Sequence, residues 1–368
     1  LPFLIPLNKG LKIALLPFAA IYGLITYIRN RLYDFNVLKH TRFDIHTIGV
    51  GNLAVGGAGK TPLVEYLISL LLPEVPSIAT LSRGYKRKTS GFLLATEEST
   101  AQDIGDEPLI YKTKYPVQVA VDSNRVNGIK KLLAQENNAP KIVLLDDAFQ
   151  HRAIKCGLSI CVSEYSNLYF NDTMLPSGTL REYKSGIIRA DVIVVSKTPE
   201  RTTAVDIRNV LKDINPKAHQ QVFFSYLKYG ELYSITNKKQ TINTLNDLFR
   251  FRIISFAGIA NATPFVNYLK EYSAEVRHLP FNDHHEYVLK DLEDIERYYQ
   301  SLEGGNKILV TTEKDMMRLK NHSVWDVAKR MNIFVLPVEV TFKDKEEEFN
   351  NLILKYVRAN KIHHQKYT

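Results

Sequence analysis

Apolar residues in this chain gather in short continuous runs rather than in a polar/apolar alternation. Residues 46–50 (HTIGV), 77–81 (SIATL), 141–145 (KIVLL) and 192–196 (VIVVS) each have the length of one strand. Such runs leave little polar surface for water on either side, as in strands covered on both faces. Residues 60–72 and 127–135 have helical length and apolar spacing, and Pro73 ends the first of them. Strands alternating with helices in this way predict an α/β fold, a mostly parallel sheet with helices on both faces. The pattern restarts at 252–256 (RIISF), with a turn at Gly258, a helix to Tyr272 and a further run at 307–311 (KILVT). This predicts a second, smaller α/β domain. The β-rich segments 223–235 and 334–342 flank it and suggest a two-stranded connector. The tail from Lys343 is charged and helical, with Phe349, Leu352, Ile353 and Tyr356 on one face. The expected division is 1–40, 41–222, 236–333 and 343–368, with 223–235 and 334–342 as the connector.

The first forty residues have a different character. Residues 13–28 carry no charge and are bracketed by Lys12 and Arg29. As a helix they would reach about 24 Å at about 1.5 Å per residue, short of the ~30 Å hydrocarbon core of a bilayer. Pro17 and Gly23 weaken that helix further. Arg29, Arg31 and Lys39 follow where a secretory signal would show a small-residue cleavage site. The segment therefore predicts a membrane-associating helix, monotopic or peripheral, that meets anionic headgroups. A buried apolar helix of the core is the first alternative and a true membrane span the second.

Composition adds limits rather than detail. A chain of 368 residues, 45% hydrophobic and 24% charged, is ordinary globular material with room for two domains. Cys156 and Cys161 cannot frame a disulfide scaffold or a zinc site, and read as reduced packing residues of a cytosolic fold. The net charge of +9 calls for an anionic partner. Phosphorylated substrates and anionic membrane surfaces fit. Nucleic acid ranks last, because no RNP, zinc-finger or helix-turn-helix signature accompanies the charge. Nothing points to an obligatory protein partner.

The chemistry begins at residues 54–61, Ala54-Val55-Gly56-Gly57-Ala58-Gly59-Lys60-Thr61, which lie between a strand and a helix. Glycines there let successive N–H groups face one anion, a lysine reaches the β and γ phosphates, and a threonine hydroxyl can ligate Mg²⁺. This is a P-loop for ATP, with alanine at position 54 where the strict pattern has glycine. Such a site also needs a carboxylate at the end of a neighbouring strand, and Asp146 and Asp147 follow KIVLL. A solvated turn is the plain alternative for that pair. Val55 stands where membrane-recruited partitioning ATPases of the deviant Walker type carry lysine, which counts against a switch protein and favours a kinase.

Further pieces, GNLAVGGAGKTP (51–62), SRGY (82–85), GDEP (105–108), LLDDAFQH (144–151), LPSGTLRE (175–182), NDH (282–284) and TEKD (312–315), together closely resemble the tetraacyldisaccharide 4'-kinases of lipid A biosynthesis. The resemblance extends over most of the chain in the family's order. It implies transfer of the ATP γ-phosphoryl group to the 4'-hydroxyl of a lipid-linked disaccharide 1-phosphate, at the cytoplasmic face of the inner membrane of a Gram-negative bacterium. The acceptor hydroxyl must lose a proton, so a carboxylate near the γ-phosphate is expected, and Asp106 in GDEP is the candidate base. By resemblance it pairs with His284 of NDH, on the smaller domain, which predicts a site completed when the domains close. Glu107 is a candidate metal or water ligand and Gln150 a candidate for orienting metal-bound water. Arg83, Tyr85, Arg125, Arg181 and Glu182 are candidates for sugar and 1-phosphate recognition. Lys314 and Asp315 read equally well as a nucleotide-side pair or a structural turn. A P-loop kinase or ligase of a soluble metabolite is the nearest rival, and an ATP-dependent membrane switch the more distant one.

Overall fold

The computed structural model describes residues 9–243, 247–303, 305–320 and 322–359. The first eight residues of the apolar N-terminal segment and residues 360–368 of the tail lie outside it. Eight strands are laid down first: β1 (His46–Gly51), β2 (Ile78–Ser82), β3 (Leu93–Leu94), β4 (Gln118–Val121), β5 (Ile142–Asp146), β6 (Leu158–Glu164), β7 (Val192–Ser196) and β8 (Gln221–Tyr229). Seven more follow: β9 (Leu232–Ser234), β10 (Thr241–Ile242), β11 (Phe251–Ala257), β12 (Val276–Pro280), β13 (Asn306–Thr312), β14 (Ile333–Leu336) and β15 (Val338–Phe342).

The larger sheet has the order β15-β8-β7-β6-β1-β5-β2-β4-β3. It is parallel except at its edges, where β3 runs antiparallel to β4 and β15 antiparallel to β8. β2, β5 and β7 are buried along their whole length, because helices cover both faces, which is why β5 and β7 read as apolar runs up to Asp146 and Ser196 and β2 departs only at Thr80 and Ser82. The smaller sheet has the order β10-β9-β14-β13-β11-β12, with its four strands β11 to β14 parallel.

The segments 223–235 and 334–342 run side by side between the sheets, and each contributes to both. β8 and β15 pair at the edge of the larger sheet, while β9 and β14 pair in the smaller one. The ladder changes hands at Pro337, which has no N–H to offer. Its carbonyl accepts from Gly230 N at 3.1 Å on the opposite segment.

Two further contacts fix the frame around the site. Helix Glu346–Arg358 buries Phe349 and Ile353 completely, with Phe349 edge-on to Phe223 and tilted over Phe342. The helices Asp106–Lys114 and Glu313–Leu319 pack across the boundary between the sheets, joined by ion pairs Asp106–Arg318 (2.5 Å), Glu107–Lys314 (2.6 Å) and Lys114–Glu313 (2.7 Å).

The N-terminal segment forms two helices, Lys9–Ala14 and Leu16–Asp34, with Pro17 in the first turn of the second. The longer helix docks by a narrow face. Ala19, Gly23 and Tyr33 are buried, and Gly23 is where the Tyr183 side chain lies, since a β-carbon there would sit 2.6 Å from its hydroxyl. Ile13, Phe18, Ile21, Leu24, Ile25 and Ile28 remain at least half exposed. Among the described residues no helix is long and apolar enough to cross a membrane.

Candidate active site

In open α/β sheets ligands bind beyond the carboxyl ends of the strands, and there the candidate residues meet. After β1 the chain turns through Gly56 (φ 117°) and Gly59 (φ 79°) into helix Lys60–Leu71. These left-handed values need glycine. Nothing lies within 4 Å of a β-carbon built on Gly56 or Gly57, so the outer face of the turn is open. Ala54 and Val55 serve as its anchor: Ala54 bridges to Leu180, and Val55 N donates to Thr179 O at 2.7 Å. Ala58 is tied down by Ser196 Oγ, which donates to its carbonyl at 2.7 Å. The first amides of a helix have no partner within it, so the turn and the Lys60–Thr61 end form an anion cradle. Lys60 Nζ donates to Asn52 Oδ1 at 3.0 Å and lies 3.2 Å from Asp147 Oδ1. Thr61 is 5% exposed at the base of the cradle.

The two aspartates at the end of β5, Asp146 its last residue and Asp147 the next, face different surroundings. Asp146 is buried, and its Oδ2 accepts from Tyr111 OH at 2.9 Å while its Oδ1 has no hydrogen-bond partner. Burial and the charge of Glu107 push its carboxyl up to about 7. Asp147 adopts φ 50°, which turns its side chain toward the cradle. Burial opposes its charge, yet Lys60 and Arg181 outweigh it and hold it well below the usual carboxylate range. Arg181 NH1 lies 2.9 Å from both Asp147 oxygens. One neighbour is thus a committed anion and the other a carboxyl with a spare oxygen.

Asp106 opens helix Asp106–Lys114 directly after Gly105 (φ 94°). His284 comes from the loop after β12, held at φ 59° by its N–H to Gly258 O at 2.9 Å. The two side chains meet: His284 Nδ1 lies 3.2 Å from Asp106 Oδ2. The ring of Tyr85 packs edge-on to His284 at 5.3 Å. Burial resists the Asp106 charge, but the His284 hydrogen bond and the charges of Arg318 and Lys314 hold it far below an ordinary carboxyl.

The remaining candidates are more committed to the protein itself. Glu107 pairs with Lys314, whose charge overcomes burial and keeps Glu107 below its ordinary value. Gln150 donates to Asn52 O (2.8 Å) and Glu182 Oε1 (3.0 Å) and accepts from Arg181 at 3.3 Å. Glu182 is 3% exposed and also accepts from Asn30 and Arg189. Arg125 is buried behind β5, donating to Asp122 O and Asp146 O, and burial lowers it to about 10. Arg83 is exposed and Tyr85 is half exposed on the open side of the site. No cluster of three or more His, Cys, Asp or Glu able to hold a metal is present among the described residues.

Three residues at the site escape a reading of the sequence. Asn52 holds Lys60, Tyr111 holds Asp146, and Arg318 holds Asp106. Only Arg318 leaves a signal, since it follows Asp315 by three positions and so shares its helix face.

Residues 11–358 match the tetraacyldisaccharide-1-P 4'-kinase family. The Flavobacterium johnsoniae tetraacyldisaccharide 4'-kinase is 45% identical over 95% of this chain and 98% of its own length. The Bacteroides thetaiotaomicron enzyme of the same name is 41% identical over 94% and 93%. The crystal structure of LpxK from Aquifex aeolicus in complex with ATP superposes with a TM-score of 0.71 at 29% identity, covering 94% of this chain and 99% of that one. With a cradle of this geometry and relatives matched nearly end to end, the chain belongs to the tetraacyldisaccharide-1-P 4'-kinase family.

Proposed function

We propose that this kinase passes the γ-phosphoryl group of ATP, held by Gly56 to Thr61, to the 4'-hydroxyl of a tetraacyldisaccharide 1-phosphate, with Asp106 receiving the hydroxyl proton. One observation carries the reading. Helix Asp106–Lys114 places Asp106 at the dyad with His284 and, five residues on, Tyr111 against Asp146 beside the cradle. That is a rise of about 7.5 Å at about 1.5 Å per residue, so a single short strut links proton acceptor and phosphate site.

Phosphoryl transfer asks for positioning and charge neutralisation more than covalent chemistry. Lys60 supplies positive charge at the phosphates, and Asp147 with Asn52 keeps its ammonium at the cradle. The unpartnered Asp146 Oδ1 and the Thr61 hydroxyl fit a hard cation, and would hold Mg²⁺. Bound there, Mg²⁺ neutralises phosphate charge. Asp147 is the poorer ligand of the pair, because Lys60 and Arg181 already occupy both its oxygens. Glu107 and Gln150 support the site through Lys314 and Arg181. Arg83 and Tyr85 recognise the sugar and its 1-phosphate from the open side. Arg125, Arg181 and Glu182 act from behind, by fixing Asp146, Asp147 and Gln150.

The exposed apolar face of helix Leu16–Asp34, next to Arg29 and Arg31, favours peripheral attachment to the anionic cytoplasmic face of the inner membrane, where a lipid-linked acceptor resides. For this purpose the chain divides into 1–40, 41–222, 236–333 and 343–368, with 223–235 and 334–342 crossing between the two sheets. A soluble-metabolite kinase would have no use for that face.

The test is transfer from γ-labelled ATP to the disaccharide 1-phosphate acceptor. Asp106→Ala and His284→Ala should each lower turnover at least tenfold while retaining ATP binding, with up to the roughly 10²–10⁴ that a general base contributes expected for Asp106→Ala. Undiminished turnover in Asp106→Ala removes it as the base. No labelled acceptor with the wild-type chain overturns the reading as a whole.

A further inference from the structure

The proton acceptor proposed above is held by a cation that the histidine pairing does not require. Arg318 is 7% exposed and spans the boundary between the two sheets. Its NH1 donates to Gly258 O at 2.6 Å and to Asp315 Oδ1 at 2.8 Å. Its NH2 donates to Asp106 Oδ2 at 2.5 Å and lies 3.3 Å from His284 Nδ1. The guanidinium is itself preorganised. Asp315 is fully buried and accepts from Gly258 N, Tyr287 OH and Thr312 Oγ1, so its carboxylate cannot turn away. Gly258 O also accepts from His284 N, which places arginine and histidine on one rigid turn.

The arrangement has a consequence for the two oxygens of Asp106. Oδ2 receives both Arg318 and His284, whereas Oδ1 accepts the amide of the adjacent Glu107 at 3.0 Å. A guanidinium only donates, so His284 Nδ1 can either accept from Arg318 or donate to Asp106, but not both. Arg318 therefore keeps Oδ2 occupied whichever tautomer the histidine adopts.

We propose that Arg318 is a positioning residue for phosphoryl transfer, pinning Asp106 Oδ2 from across the sheet boundary so that Oδ1 is the oxygen turned to the acceptor hydroxyl. This rests on the reading of Asp106 as the base. In the step it serves, the acceptor O–H bond breaks and its proton passes to Asp106 Oδ1. The hydroxyl oxygen forms a bond to the γ-phosphorus, and the bond from that phosphorus to the β,γ-bridging oxygen breaks, releasing ADP with that electron pair.

The experiment is a double-mutant cycle between Arg318→Gln and Asp106→Asn, read as kcat and as KM for ATP in the γ-labelled transfer assay. Arg318→Gln should lower kcat at least tenfold with KM for ATP within about twofold. In the Asp106→Asn background the same substitution should cost less than threefold, because Arg318 acts through that carboxylate. Arg318→Lys, which keeps the charge but loses the fork, should retain the fold and recover part of kcat, so an Arg318→Gln chain that fails to fold still leaves the cycle measurable with lysine. Equal losses in both backgrounds, or a loss in KM alone, overturn the proposal and leave a structural ion pair. Full kcat in Asp106→Asn would sink the base instead, whatever Arg318 does.

Discussion

Glu65→Gln is a neutral substitution that should make this protein more stable above pH 7. Glu65 lies on the helix that starts at Lys60, and it shares one ammonium with Glu313. Lys114 Nζ is 2.5 Å from Glu65 and 2.7 Å from Glu313, and both carboxylate side chains are 8% exposed. A single cation cannot compensate two buried anions. Burial first, and then the charge of Glu313, raise Glu65 from 4.5 to about 7 despite Lys114. Because the folded chain holds this proton more tightly than the unfolded chain, the stability it confers is complete below about pH 4.5. It is lost as pH rises toward 7 and stays lost above. At about 1.36 kcal/mol per pH unit the interval corresponds to about 3 kcal/mol. Glutamine removes that loss and keeps an acceptor for Tyr115 OH, 3.2 Å away. The pull of Lys114 on the Glu65 charge is already contained in that rise, so the expectation is a gain of about 3 kcal/mol at pH 8 and less than about 1 kcal/mol at pH 5, measured by urea unfolding across that range. A variant that is less stable at pH 8, with the wild-type slope between pH 5 and 7 intact, would refute the reasoning. Glu65 would then be ionised throughout and its ion pair net stabilising.

Two other outcomes follow from single contacts. Tyr111→Phe deletes the hydroxyl that donates to Asp146. It should cost about 1.5–3 kcal/mol in urea unfolding and weaken ATP binding in excess Mg²⁺, whereas unchanged ATP affinity would show that Asp146 needs no such support. Ile21→Glu with Ile25→Glu, at positions 59% and 61% exposed, should leave unfolding within about 0.5 kcal/mol of wild type. The pair should reduce sedimentation with anionic vesicles at least tenfold, since each buried isoleucine is worth about 1.5–3 kcal/mol. Vesicle binding that survives both changes would rule out this face as the attachment.

What the sequence discloses here follows from which groups face water. β5 and β7 are apolar up to their last residues, Asp146 and Ser196, and β2 departs only at Thr80 and Ser82, because both faces are covered, and their runs locate them within a residue. β6 carries Ser159, Ser163 and Glu164 and gives no comparable run, although it lies beside β1 at the middle of the sheet. Helix Leu289–Ser301 buries only Leu292 and Ile295 in a charged stretch, so its period is faint. The cradle is legible because its backbone conformation demands particular residue types. The direction of an arginine is not. Arg83 and Arg125 look alike in a sequence, yet one meets solvent and the other braces β5 from within. The union of Asp106 with His284 likewise has no local signature, since the partners come from different sheets and family resemblance alone suggested it.

The electrostatics of Asp106 bear on how this site works. A general base is most efficient when its proton affinity sits near the working pH, and Asp106 is held far below that by the groups around it. Strong basicity is therefore not what the fold has arranged. In a loose phosphoryl-transfer transition state the attacking oxygen carries little bond order to phosphorus, so its proton need not leave early. A carboxylate fixed in direction, with one oxygen pinned and the other directed at the hydroxyl, then contributes chiefly by orienting the nucleophile and accepts the proton once the bond to phosphorus has formed. On the proposed reading of Asp106 as base, the same reasoning accounts for the three ion pairs that join helix Asp106–Lys114 to helix Glu313–Leu319. A site that works by direction must resist rotation of the helix that carries its carboxylate, and ion pairs at both ends of that helix oppose such rotation better than one at either end.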